Sequence, residues 1–188
     1  MKTHFRSVLA AILLFAPLSG EAQVRGPGDF QITKITKNLI PTPQFSFGGE
    51  QHPPGGADRW LEVEVEFAAP VFTSELTLKY FILFNGQLLT GEVTHVNIPA
   101  GRERRSVVYV TPRTLVRFGG NRPITANSVQ NVAVQIVEQG AVKDELSLAR
   151  AQPQWYATVP QVAGLVLNKN ETPFAPLYWD RYEQIKSR

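Results

Sequence analysis

Cysteine is absent from the 188-residue chain. That excludes disulfides, thiol chemistry and acylation of a lipobox cysteine, and it leaves burial alone to hold the fold. Histidine is scarce, with only His52 and His95 beyond the N-terminal region. No nucleophile elbow and no phosphate-cradling glycine loop is present. An excess of one charge is lacking as well. Beyond residue 22 the chain holds 17 basic and 15 acidic residues, without the basic stripe of a nucleic-acid binder. Internal repeats and low-complexity tracts are missing. The composition therefore points away from an enzyme, a cofactor and a nucleic-acid partner.

A long apolar run is missing too. Lys2, His4 and Arg6 form a basic region ahead of a short apolar stretch at 7–18, too short to span a bilayer comfortably. Gly20 and Ala22 bracket Glu21 as an export cleavage site does, which predicts a signal peptide over 1–22. The chain after Gly20 is polar, so no prepilin helix is expected. The mature chain is predicted to be soluble in the periplasm, at the outer surface or outside the cell, with no transmembrane segment. About 165 residues then remain, enough for one domain with a full core.

What is present is alternation. The stretch 75–98 reads ELTLKYFILF, Asn85-Gly86, QLLTGEVTHVNI. Asn-Gly between strand-like runs predicts a two-residue type I′ hairpin, because both central residues need φ > 0. That register sets Leu83 against Leu88, Ile82 against Leu89, Lys79 against Glu92, Leu78 against Val93 and Thr77 against Thr94, all favourable cross-strand pairs. A slip by one would turn one strand's side chains to the other face.

Further strands follow from the same period. Residues 29–37 form a first strand in which Ile35 falls out of step, predicting a bulge or a twist near an edge. Residues 38–58 form a long loop rich in Pro and Gly. In 59–67, Leu61, Val63, Val65 and Phe67 point one way and Trp60, Glu62, Glu64 and Glu66 the other. Residues 104–111 make another strand, and 114–118 are short and mixed. Residues 129–138 and 142–149 make a second hairpin. Setting Val134 against Leu146 there calls for a three-residue loop, Gln139-Gly140-Ala141. Residues 162–167 read as a last strand and 176–186 as a short helix with Pro near its first turn. About seven strands at even spacing predict an all-β, immunoglobulin-like antiparallel sandwich, with a jelly roll or small barrel as the runner-up. The expected plan is a signal peptide at 1–22, a sandwich at 23–150 and an aromatic-rich extension at 151–188 packed on it.

Candidate sites are few. His52, Glu50 and Asp58 share the long loop and offer metal ligands, but their spacing matches no strong zinc pattern and a solvated loop is the plainer reading. The row Glu62, Glu64, Glu66 is spaced too widely for a shared proton and reads as a wet face paired with Arg102, Arg104 and Arg105. His95, opposite Leu76, reads as structural. Phe81, Leu83 and Leu88 form an apolar patch at the turn end of the hairpin, either an interaction site or a face that the long loop or C-terminal segment covers. Trp155, Tyr156, Tyr178, Trp179 and Tyr182 suit gripping a partner protein or stacking on a glycan, or else covering core and edges. Phe174, Leu177, Tyr178 and Ile185 share a helical face, and the expected docking surface is the patch at Phe81, Leu83 and Leu88.

An export signal, a cysteine-free sandwich and an aromatic tail together resemble small secreted immunoglobulin-like proteins. These lie beside type IV pilus-like genes in mucus-dwelling bacteria of the Verrucomicrobia kind. The resemblance spans roughly residues 29–188. It implies a non-enzymatic envelope or pilus-associated binding role, with envelope or pilus-like proteins as partners, and it transfers no functional residues. The missing prepilin signal sets the chain apart from pilins that polymerise through an N-terminal helix.

Overall fold

The hairpin at 75–98 forms in the predicted register, with every pair named above in place. Asn85 and Gly86 sit at φ 46° and 79°, as a type I′ turn requires. Thr77 and Thr94 share a hydroxyl hydrogen bond of 2.9 Å across it. The computed structural model describes residues 28–45, 59–120, 122–149 and 152–187. The expected signal peptide and the trio Glu50, His52 and Asp58 lie outside the described residues.

Two sheets face each other. In chain order the strands are β1 (Gln31–Pro41), β2 (Arg59–Ala69), β3 (Thr73–Phe84), β4 (Gln87–Ile98), β5 (Gly101–Val110), β6 (Val129–Glu138), β7 (Ala141–Ser147), β8 (Gln161–Ala163) and β9 (Val166–Asn168), with α1 (Pro112–Gly119) between β5 and β6. One sheet runs β1-β2-β5-β9 and the other β7-β6-β3-β4-β8. The molecule is an all-β sandwich. Between the sheets lie the predicted inward residues Leu61, Val63, Val65 and Phe67, joined by Leu78, Tyr80, Ile82, Val134 and Ile136. Asp144 of β7 accepts from the backbone N–H of Ile32 at 2.7 Å, tying the two sheets at one side.

Several details correct the sequence reading. β1 continues four residues past Lys37 into the expected loop. Its pairing with β2 slips between Ile32 and Lys34; this is the bulge that Ile35 out of step implied, and it brings Ile32 and Ile35 both into the core. The β6–β7 loop has two residues, not three. Glu138 pairs with Ala141, Gln139 and Gly140 take positive φ, and a bulge between Ile136 and Val137 restores Val134 opposite Leu146. An inserted strand residue shifts register just as a longer loop does, so apolar alignment alone does not separate the two. The mixed segment at 114–118 is α1, capped by Thr111, whose hydroxyl oxygen accepts from the Thr114 N–H.

The stretch at 162–167 is two strands, divided at Gly164 with φ 79°. β8 runs parallel to β4 and β9 antiparallel to β5, so the chain crosses here from one sheet to the other. Val166 then lies on Gly91, where a Cβ would come within 2.6 Å of the valine Cβ; only glycine leaves that room. The expected helix at 176–186 does not form. That segment is a series of turns with a bridge between His95 and Ile185. Tyr178 at φ 52° interrupts any helix. The backbone bonds outward instead: Glu183 N–H to Arg105 O, Val96 N–H to Gln184 O and Lys186 N–H to Thr94 O.

Candidate functional site

The extension covers the sandwich in two places, and what it leaves uncovered is the candidate site. The first cover is the 3₁₀ turn at Trp155–Thr158. The Tyr156 ring stacks on Phe81 with centroids 3.8 Å apart. Its hydroxyl donates to Glu145 at 2.6 Å and accepts from Gln135 at 2.7 Å. Burial and the Glu145 carboxylate raise its pKa. The Trp155 indole N–H donates to Ser147 at 3.0 Å. Phe81, Leu88 and Tyr156 therefore form one buried cluster with Ala133. The apolar hairpin patch is closed, and Phe81, Leu88 and Tyr156 are internal contacts rather than a free binding surface. Leu83 and Trp155 are half-buried.

The second cover lies on the outer face of the opposite sheet, not on the hairpin face expected for it. Phe174 stacks on Tyr109 at 4.5 Å and meets Trp60 edge-on at 5.6 Å. Lys169, itself buried, holds the start of this strap by donating to Ala175 O at 2.7 Å. Glu64 accepts from both Arg181 (2.8 and 2.9 Å) and the Tyr182 hydroxyl (2.8 Å). Burial and Glu64 raise the Tyr182 pKa, and the bond to Glu64 raises that of Arg181. The carboxylate row is thus not simply wet. Glu66 pairs with Arg105 at 3.3 Å as expected, Glu64 pairs with the strap, Glu62 accepts from Tyr109, and Arg104 turns to Glu183 at 3.6 Å.

Beneath the strap is a buried polar chain. His95 is 1 % exposed. Tyr80 donates to the Ser106 hydroxyl at 2.7 Å, and Ser106 lies 2.6 Å from His95 Nε2. His95 Nδ1 lies 3.0 Å from the Glu183 carbonyl. The carbonyl can only accept, so Nδ1 carries the proton and Nε2 accepts from Ser106. Burial lowers the His95 pKa to about 4, so the ring is neutral. A serine beside a histidine is the raw material of nucleophilic catalysis, but this pair is sealed in the core with a backbone carbonyl in place of an orienting carboxylate. Among the described residues no group of three or more His, Asp or Glu is placed to hold a metal.

The strap turns outward at one point. Tyr178 and Trp179 are 57 % and 80 % exposed. Tyr178 holds φ 52°, a genuine outlier for a bulky side chain. The Arg181 guanidinium, locked on Glu64, lies 6.0 Å from the Tyr178 ring and 5.7 Å from the Tyr182 ring. Of the five candidate aromatics in the extension, the structure puts Tyr178 and Trp179 outside and engages Trp155, Tyr156 and Tyr182. Arg181 and Glu64 belong to the same site; Glu64 is in the carboxylate row read from sequence, but Arg181 was not singled out. They lie 117 positions apart, and no local spacing links them.

These features define a two-sheet β-sandwich strapped by its own C-terminal segment, with an aromatic tip. A family model matches residues 21–188, and the chain belongs to that family, a family of pilus-associated structural proteins. The crystal structure of a protein from Akkermansia muciniphila is similar over 85 % of this chain and 94 % of that one, with a TM-score of 0.72 and 23 % identity. At that identity the likeness is one of fold. Comparison with curated proteins finds no match. No helix among the described residues is long and apolar enough to cross a membrane.

Proposed function

We propose that the protein is a non-enzymatic, exported cell-envelope or pilus-associated interaction module that grips a partner protein through Tyr178 and Trp179. The single observation that carries this reading is the tip itself. A tryptophan 80 % exposed stands beside a tyrosine in a strained backbone conformation. Below them a strap is fixed by Phe174, Arg181 and Tyr182. Strain of roughly 1–2 kcal/mol at a bulky residue with φ > 0 persists only where its surroundings impose it. Trp, Tyr and Arg are also the residues that dominate binding energy at interfaces.

Other observations support the wider reading. The family match begins at residue 21, next to the proposed cleavage after Ala22. The strand order β1-β2-β5 against β7-β6-β3-β4 follows A-B-E against G-F-C-C′ of an immunoglobulin-like sandwich. The sandwich at 23–150 and the extension at 151–188 work as one unit, since the extension completes the edge of β4. The sealed Ser106–His95 pair offers a substrate no approach. The test is capture from an envelope extract by the protein and by the double variant Tyr178→Ser, Trp179→Ser. A protein retained by the first and lost by the second supports the reading. Equal capture by both, or retention of glycans instead of protein, overturns it.

A further inference from the structure

A second surface, lined by none of the tip residues, has a chemistry of its own. An open groove of about 750 Å³ runs between the start of α1 and the β8–β9 crossover, within the roughly 300–1,000 Å³ range of ligand clefts. Its apolar floor includes Trp60, Leu165 and Leu167, and Val116, 63 % exposed, forms part of its wall. The one charged side chain lining it is Arg113.

The polar groups here are biased toward donors. The Trp60 indole N–H donates to the Thr42 hydroxyl oxygen at 3.0 Å, which leaves the Thr42 hydroxyl proton to give. The Thr111 hydroxyl donates to Thr114 Oγ1 at 2.9 Å, which leaves the Thr114 proton to give. Arg113 adds a guanidinium with five N–H donors and no acceptor. The segment that supplies α1 is also free of acid: between Glu103 and Glu138 the chain holds five arginines and no Asp or Glu, and the neighbouring Glu62 of β2 is engaged by the Tyr109 hydroxyl. An apolar floor under a rim that offers two hydroxyl protons and a guanidinium complements a ligand that alternates apolar groups with acceptors and negative charge.

We infer that this groove docks an extended, carboxylate-bearing peptide segment of a partner protein. An extended peptide offers the match: side chains on one face for Trp60, Leu165 and Leu167, carbonyls for Thr42 and Thr114, and a carboxylate for Arg113. An anionic membrane surface fits less well, because a concave floor cannot press its apolar residues into a flat bilayer.

The probe is a short fluorescein-labelled peptide of alternating Glu and Val, with Lys/Val and Glu/Ser peptides as controls, read by anisotropy. Selective binding of the Glu/Val peptide is expected, weakened about tenfold by Arg113→Glu and by raising NaCl to about 0.5 M. Val116→Asp should weaken it too, while Arg102→Glu, at the other end of β5, should not. Both exposed substitutions leave the core intact, so a folding failure does not confuse the result. In a Trp155→Phe, Trp179→Phe background, Trp60 is the remaining tryptophan, and its emission should change on peptide addition. Equal binding of the Lys/Val peptide, insensitivity to Arg113→Glu, or a silent Trp60 overturns the inference. So does binding to phosphatidylglycerol vesicles that is lost with Arg113→Glu while the peptide fails to bind.

Discussion

Replacing Phe174 with alanine asks whether the strap is part of the fold or merely rests on it. Phe174 is buried between Tyr109 and Trp60. Deleting a fully buried Phe side chain costs roughly 3–5 kcal/mol, of which two aromatic contacts account for about 0.5–1.5 kcal/mol each. The cluster lies on the outer face of a sheet, so water fills part of the hole and the low end, about 3 kcal/mol, applies. The strap is also tied to the core, because the Glu183 carbonyl accepts from buried His95 and the backbone at 183–186 bonds the edges of β4 and β5. Letting the strap go leaves those groups unpaired, so its loss should spread to the whole sandwich. The expected result is a urea midpoint lower by roughly 1.5 M at a slope of about 2 kcal/mol/M. Phe174→Leu, which keeps most of the volume, should recover all but about 1 kcal/mol. Trypsin distinguishes local release: cleavage at Arg181 and Lys186 should rise only in step with global unfolding. An unchanged midpoint with fast cleavage at those sites would refute the coupling and make the strap an independent arm.

Three further outcomes follow from local geometry. Gly86→Val should destabilise the fold by roughly 1 kcal/mol or more, since Gly86 sits at φ 79°; an unchanged denaturation midpoint would rule out strain at this turn. Gly91→Ala puts a Cβ 2.6 Å from Val166 Cβ and 3.0 Å from its carbonyl oxygen, so a loss of about 1–3 kcal/mol is expected, and a neutral thermal scan would contradict the close packing of β9 on β4. The third is a pH dependence. Burial depresses His95 from 6.5 to about 4, so between those values the unfolded state binds the extra proton and stability falls as pH falls. The full shift is worth roughly 3 kcal/mol, complete below about pH 4. The slope should be largely absent in His95→Gln when urea midpoints are compared across that window.

The strands were readable because their determinants are local. A period of two and an Asn-Gly turn locate the 75–98 hairpin to the residue, since one face must be buried and the turn fixes the loop length. The bulge in β1 was legible in Ile35 falling out of step, but the one in the second hairpin escaped the same logic. Between Ile136 and Val137 the pairing shifts by one residue, and the sequence showed only that some odd residue was needed, not where. The crossover at Gly164 was missed because Val162 to Leu167 is continuous and apolar, and periodicity does not say which sheet a residue joins. The helix expected at 176–186 failed for a related reason. Its apolar spacing was real, but the edges of β4 and β5 offered backbone partners that outcompete a short helix, which is marginal alone.

For the candidate site the difficulty was of another kind. Aromatic and apolar residues carry the same sequence signal whether they close a core or wait for a partner. Phe81, Leu88 and Tyr156 gave that signal and proved to satisfy one another. Trp60, alternating with three glutamates, was placed on a wet face, and that face is roofed by Phe174 from more than a hundred residues away. Tyr178 and Trp179 were in the same candidate set with nothing in the pattern to raise them above the rest. What separates them is non-local. Arg181 and Tyr182 spend their polar groups on Glu64, Phe174 spends its ring on Tyr109 and Trp60, and with the strap fixed on both sides the backbone between must turn outward at Tyr178. The exposure of the tip is thus a consequence of contacts to β2 and β5, and none of them is encoded in the neighbours of the two residues it presents.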